Sequence, residues 1–168
     1  MSGYELAQVN VALAVDDLES ETLAEFIAAL DRVNALAEAS PGFVWRLKSE
    51  TGNATDIAIS SNPRFIINLS VWRDADSLFD FVYRSSHSKV MAKRRSWFEK
   101  PTLAYQAMWW VPAGHHPTPE EALAKLALID RFGPTSDAFT FKSRFPAPDQ
   151  RGGEPVDMRP DPYCVGWA

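Results

Sequence analysis

At 168 residues the chain suits one domain with extensions, long enough to bury roughly 70% of its unfolded surface without disulfide or metal staples. Hydrophobic residues make up 46% and charged residues 23%, with ten Phe, six Trp and four Tyr, more aromatics than a minimal core needs. The net charge of −5 opposes nucleic-acid binding. Cys164 is the single cysteine, which excludes an internal disulfide and any cysteine-rich zinc or iron–sulfur site. The N-terminus lacks a basic region followed by an apolar run, and no segment approaches the ~20 apolar residues that span a bilayer; a cytoplasmic protein with no membrane partner is expected.

Tyr4 to Val15 reads as a strand, with apolar residues alternating with Asn10, Ala12 and Ala14 from Val9 onward. From Ser20 to Ser40, Leu23, Phe26, Ile27, Leu30, Val33, Leu36 and Ala37 recur at helical spacing, and Pro41-Gly42 stops the helix. Phe43 to Lys48 and Phe65 to Trp72 are further strands. The polar run Ser49 to Pro63 between them is long enough to act as a lid.

Asp74 caps a helix carrying Leu78, Phe79, Val82 and Tyr83, and Arg84-Ser85-Ser86 bends it before a second helix opens at His87. On that helix His87, Met91, Arg94 or Arg95, and Phe98 share one side. A single imidazole among guanidinium groups and apolar side chains suits three uses. It can hold a haem through iron and propionates, bind an anionic organic substrate, or pack a barrel with its cations turned to water.

Thr102 to Val111 is the fourth strand; in strict alternation Trp109 and Trp110 face opposite ways, one into a cavity and one under a helix. Thr118-Pro119-Glu120-Glu121 is a capping box, opening a helix that buries Ala122, Leu123, Leu126 and Ile129 and ends at Gly133-Pro134. Ala138 to Phe141 adds a short strand or pins that helix to the sheet. After residue 145 the proline-rich stretch 146–168 cannot form a core of its own, and it divides the chain into a domain at 1–145 and a tail.

The order β-α-β-β-α-β with an added C-terminal helix is the ferredoxin-like arrangement, an α+β fold. A single sheet with helices on one face leaves the other face apolar and bare, so a homodimer, a dimeric α+β barrel, is expected.

Taken in order, His87-Ser88, Arg94-Arg95-Ser96-Trp97-Phe98, Trp109-Trp110-Val111-Pro112-Ala113-Gly114-His115, Pro117-Thr118 and Gly133-Pro134-Thr135 resemble the bacterial family catalogued as domain of unknown function 3291, in the dimeric α/β-barrel superfamily. The resemblance covers about Tyr4 to Pro148. That superfamily includes haem enzymes, cofactor-free monooxygenases of aromatic polyketides and small stress-response proteins. Phe79 to Phe98 also resembles, more distantly, the His-containing helix of spheroidene monooxygenase, regarded as haem-dependent, with His87 at the helical His and Trp97-Phe98 at the aromatic pair.

What the resemblance implies is a haem-binding oxidoreductase of monooxygenase type. His87 would be the axial metal ligand, Arg84, Arg94 and Arg95 would meet the propionates, and Trp72, Trp97, Phe98, Trp109 and Trp110 would hold an apolar or aromatic small molecule. The alternative is a cofactor-independent monooxygenase, cyclase or isomerase with His87 as acid/base and Asn10 on an inward strand face. A ligand-binding stress-response dimer without catalysis is the third possibility.

His115 and His116, being adjacent, cannot easily chelate one ion and read as turn residues. Three histidines, with no acid three or four residues after His87, argue against a zinc or non-haem iron triad. The sequence carries no Ser-His-Asp order, glycine-rich phosphate loop or paired catalytic carboxylates, which sets aside hydrolases, kinases and nicotinamide enzymes.

Overall fold

The computed structural model describes residues 2–48, 61–85 and 87–150. β1 (Tyr4–Leu13), β2 (Phe43–Arg46), β3 (Phe65–Trp72) and β4 (Gln106–Pro112) form one antiparallel sheet in the order β2-β3-β1-β4. Between them run α1 (Glu21–Ala39), α2 (Ala75–Arg84), α3 (His87–Met91) and α4 (Arg94–Trp97), and α5 (Pro119–Phe132) follows β4. This is the expected α+β, ferredoxin-like βαββαβ order with an added helix. The fourth strand begins at Gln106 rather than Thr102.

The α1-to-β2 turn depends on Gly42, whose φ of +83° suits glycine. A Cβ there would also lie 2.1 Å from the Ser77 hydroxyl oxygen, so the turn packs directly on α2.

The period of two along each strand sorts the sheet into two faces. On the first, Leu6 and Trp72 join Phe81, Leu78, Met108 and Phe139 beneath α1 and α2. On the second, Ala7, Val9, Leu69, Val71, Trp109 and Val111 are each at most 2% exposed. Ala122 and Leu126 of α5 pack into that second cluster, with Leu123 and Ile129 beside them.

The second face is therefore not bare. The expectation of a homodimer rested on an uncovered apolar face, and α5 supplies that cover from within the chain, giving helices on both sides of the sheet. The premise is corrected here, because the helix after β4 folds back across the strands. No helix among the described residues is long and apolar enough to cross a membrane.

Phe139 exchanges two backbone hydrogen bonds with Met108, so the 138–141 segment pins the chain after α5 to the edge strand β4. Ala147 is fully buried, and the Asp149 carboxylate accepts from Ser2 Oγ and from the Gly3 backbone N–H at 2.8 Å. The first residues of the proline-rich stretch are thus docked on the start of β1. The proposed lid residues 49–60 and the tail from 151 lie outside the described residues.

Candidate active site

A cavity of about 190 Å³ lies between the first sheet face and helices α1 to α4. That volume is of the order of the ~150 Å³ apolar cavity that accepts benzene. It is below the roughly 300–1,000 Å³ of sites that enclose drug-sized ligands.

Its floor is set by strand register. Asn10 lies opposite Asn68 on β3 and opposite Gln106 on β4, so three carboxamides cross the sheet in one row. In the next row Gln8 Nε2 donates to Asn68 Oδ1 and to Ser70 Oγ, both at 2.9 Å, and Trp72 Nε1 donates to the same Ser70 oxygen at 2.9 Å. Gln8 and Ser70 are 6% exposed, and the shared bonds offset the desolvation of these groups. Asn10 differs: its Oδ1 is buried with no hydrogen-bond partner among the described residues.

The far wall comes from the two short helices after α2. Ser85 ends α2, its hydroxyl returning to the Phe81 carbonyl while accepting from the His87 backbone N–H. The chain breaks again at Ala92-Lys93 between α3 and α4, yet His87, Met91, Arg94 and Phe98 all line the cavity. The shared face expected from their spacing is therefore present, with Arg94 as the inward arginine. Trp97 and Phe98 close one end against Phe26, at ring-centre distances of 5.5 and 4.9 Å.

The His87 ring packs against Phe81 at 4.7 Å, and its Nδ1 lies 3.5 Å from the Val82 carbonyl oxygen. Burial, opposed by the Val82 carbonyl and reinforced by the nearby Arg94 charge, pushes its pKa down from 6.5 to about 4. The imidazole is neutral at pH 7. With the Nδ1 proton directed at Val82, Nε2 is the nitrogen left to accept a hydrogen bond. Arg94 is partly exposed, its guanidinium 5.0 Å from the centre of the Tyr105 ring, and both side chains line the cavity.

Other expected site residues lie elsewhere. Arg84 is exposed and pairs with Asp80 at 3.1 Å, and Arg95 is exposed on α4; neither lines the cavity. Trp72 is in the lining, but Trp109 and Trp110 are not. Trp109 packs on the second face and donates to Glu121 Oε1 at 2.9 Å, whereas Trp110, on the first face, donates to the Phe145 carbonyl at 2.8 Å. The alternation holds, but the C-terminal segment draws Trp110 away from the cavity. His115 contacts Glu121 and His116 stacks on Trp45 at 4.7 Å, so the two histidines go to separate partners.

Haem does not fit these residues. One of the three arginines assigned to propionates faces the cavity, and a space of about 190 Å³ is too small for a macrocycle lying flat beside His87. Among the described residues no three His, Cys, Asp or Glu side chains form a group able to hold a metal ion.

Gln8, Asn68, Ser70, Tyr105 and Gln106 were not among the expected site residues. Gln8 shares the inward parity of Asn10, and Asn68 and Ser70 alternate with Ile67, Leu69 and Val71, a polar-in-apolar pattern that marks them.

Among solved structures, the chain is similar to a protein of unknown function from Nitrosomonas europaea, at 15% identity and a TM-score of 0.43, covering 70% of this chain and 96% of that one. It is also similar to SnoaB, a cofactor-independent oxygenase from Streptomyces nogalater, at 18% identity and a TM-score of 0.42, covering 68% of this chain and 97% of that one. At such distances the similarity says nothing about chemistry. No curated protein matches the chain. Residues 5–154 match the profile of the domain of unknown function DUF3291, and the chain belongs to that family.

Proposed function

We propose that this cavity is the active site of a cofactor-independent enzyme that oxygenates, cyclises or isomerises a small aromatic or polyketide-like molecule. The observation that carries the reading is the carboxamide row Asn68–Asn10–Gln106 in one cavity with a neutral His87 and aromatic and aliphatic walls. Polar side chains on an inner sheet face cost stability relative to apolar ones, and their use here is to meet polar groups on a bound molecule.

In this reading the aromatic walls hold the ring, and His87 Nε2 accepts a hydrogen bond from a ring hydroxyl or enol. The carboxamide N–H groups and Arg94 stabilise the negative charge that develops on the oxygen. An imidazole of pKa about 4 is a weak base, so the charge-stabilising groups carry more of the work than the acceptor. For oxygenation, the substrate anion is the reductant and molecular oxygen the oxidant. A new C–O bond forms, and loss of water from the resulting hydroperoxide leaves a carbonyl.

Haem-dependent oxygenation of an apolar substrate is the other form of the reading, and the fit of the cavity argues against it. The test is oxygen uptake and product mass with a panel of hydroxynaphthalenes and related enolisable aromatics. Turnover is expected to fall at least about tenfold in His87→Ala and Asn10→Ala with folding intact. Binding without turnover across the panel would favour a non-catalytic ligand-binding protein. A stoichiometric Soret band on adding haem, lost in His87→Ala, would restore the haem reading.

A further inference from the structure

We propose that the Ser70 hydroxyl, together with the Asn68 amide, is a two-donor anchor for a carbonyl oxygen of the bound molecule. This rests on the cavity being a ligand site and adds the functional group that the site recognises.

Ser70 Oγ lies 2.9 Å from Gln8 Nε2 and 2.9 Å from Trp72 Nε1. An indole N–H and a carboxamide N–H only donate, so both lone pairs of the hydroxyl oxygen are taken. The hydroxyl's own hydrogen must then be given away, and no acceptor for it lies within reach among the described residues. Ser70 is 6% exposed, and it lines the chamber. A buried donor without a partner is costly, and the chamber is where a partner can arrive.

Asn68 is oriented by the same nitrogen. Its Oδ1 accepts from Gln8 Nε2 at 2.9 Å, which leaves the Nδ2 end of the carboxamide as the donor end. Gln8 spends one N–H on each neighbour, so Ser70 and Asn68, two residues apart on one face of β3, converge on a single atom. A carbonyl oxygen has two lone pairs and no hydrogen, and it can take both donors at once. A ligand hydroxyl would bring a further hydrogen to a place already supplied with them. The same two donors favour negative charge on that oxygen.

Acetophenone and α-methylstyrene test this, because they share one shape and differ by an oxygen in place of a CH₂ group. Affinities are measured by NMR titration of the full chain, and the carbonyl stretch of bound, ¹³C-labelled acetophenone is read by infrared difference spectroscopy. Circular dichroism checks the fold of each variant. In the wild type the stretch is expected below its value in hexane. Ser70→Cys, close in volume but a weak donor, should return it upward and weaken acetophenone binding about fivefold, the worth of one neutral hydrogen bond. Binding of α-methylstyrene should not change, and Ser70→Thr, which keeps the hydroxyl, should behave as the wild type. Asn68→Asp, at an exposed position, keeps the bond from Gln8 but gives up the second donor, and should move both readouts in the same direction as Ser70→Cys.

A wild-type stretch equal to that in hexane would mean that the Ser70 hydrogen is held by the protein, and would overturn the anchor while leaving the cavity reading in place. Readouts unmoved by Ser70→Cys, or by Asn68→Asp, would overturn it as well. Failure of both probes to bind would reject the cavity as a site for ligands of this size, and the inference with it. Since the anchor is read from binding alone, a lack of turnover with the hydroxynaphthalene panel would not remove it.

Discussion

Glu121 Oε1 accepts a hydrogen bond of 2.9 Å from Trp109 Nε1, which ties the first turn of α5 to the strand it covers. The other carboxylate oxygen lies 2.8 Å from His115 Nε2. The side chain expected to close a capping box has been drawn away by two stronger claims. The indole N–H needs an acceptor, because Trp109 is 1% exposed and an unpaired buried donor costs about 1–3 kcal/mol. Glu121→Ala is therefore expected to destabilise the fold by that amount. Glu121→Gln, which keeps an acceptor for Trp109, should cost less, and urea denaturation of both variants measures the difference.

Burial works against the Glu121 charge, but hydrogen bonds from His115 and Trp109 hold its carboxyl below the usual 4.5. A depressed carboxyl contributes stability that is complete above the unfolded value and is lost as pH falls through the folded one. The acid limb of the stability curve should therefore be shallower in Glu121→Gln than in the wild type.

Thr118 keeps the other half of the cap: its Oγ1 accepts from the Glu121 backbone N–H at 3.1 Å. Thr118→Ala is expected to cost about 1 kcal/mol without affecting ligand binding. Since the Glu121 side chain does not return the bond, a double-mutant cycle of Thr118→Ala with Glu121→Gln should show coupling below about 0.5 kcal/mol. Larger coupling would mean that the capping box closes in solution.

His87 gives the fold a second pH dependence. Its unfolded pKa is near 6.5 and its folded pKa about 4, so between those values the unfolded chain binds more protons and stability falls as pH is lowered. At about 1.4 kcal/mol per unit, the loss is bounded at roughly 3 kcal/mol. His87→Gln should remove this slope from the pH 4–6.5 window, as read by thermal melts in matched buffers. An NMR titration placing the imidazole near 6.5 in the folded protein would contradict the buried, neutral assignment.

Much of this arrangement is legible in the sequence, and the failures have physical causes. The spacing of His87, Met91, Arg94 and Phe98 identifies one cavity face even though the helix is broken at Ala92-Lys93, because the breaks preserve the rotation of the chain. Asn10 follows from strand parity. The row it shares with Asn68 and Gln106 does not, since cross-strand register depends on packing between segments distant in sequence. Trp109 and Trp110 separate as alternation requires, but no local pattern reveals that the Phe145 carbonyl takes the Trp110 indole. The misjudged bare face had its answer in plain view. The apolar stripe of Ala122, Leu123, Leu126 and Ile129 needs a surface to cover, and the second face of the sheet is that surface.

Asn10 offers the sharpest separation of function from stability. Its buried Oδ1 has no partner among the described residues, a state that costs about 1–3 kcal/mol, and the side chain borders a cavity with room for a different group. Asn10→Leu removes the unpaired acceptor and adds apolar contact with the cavity walls. It should leave the melting temperature unchanged or raise it by a few degrees. The same substitution deletes the middle carboxamide of the row proposed to meet the substrate oxygen, so kcat/KM should fall at least about tenfold. Such a stabilised but inactive variant is expected where polar groups are retained for function at the expense of stability. A clear drop in melting temperature would instead show that Asn10 is paired in solution and serves the fold. Unchanged turnover in a stable Asn10→Leu protein would remove the carboxamide row from the mechanism.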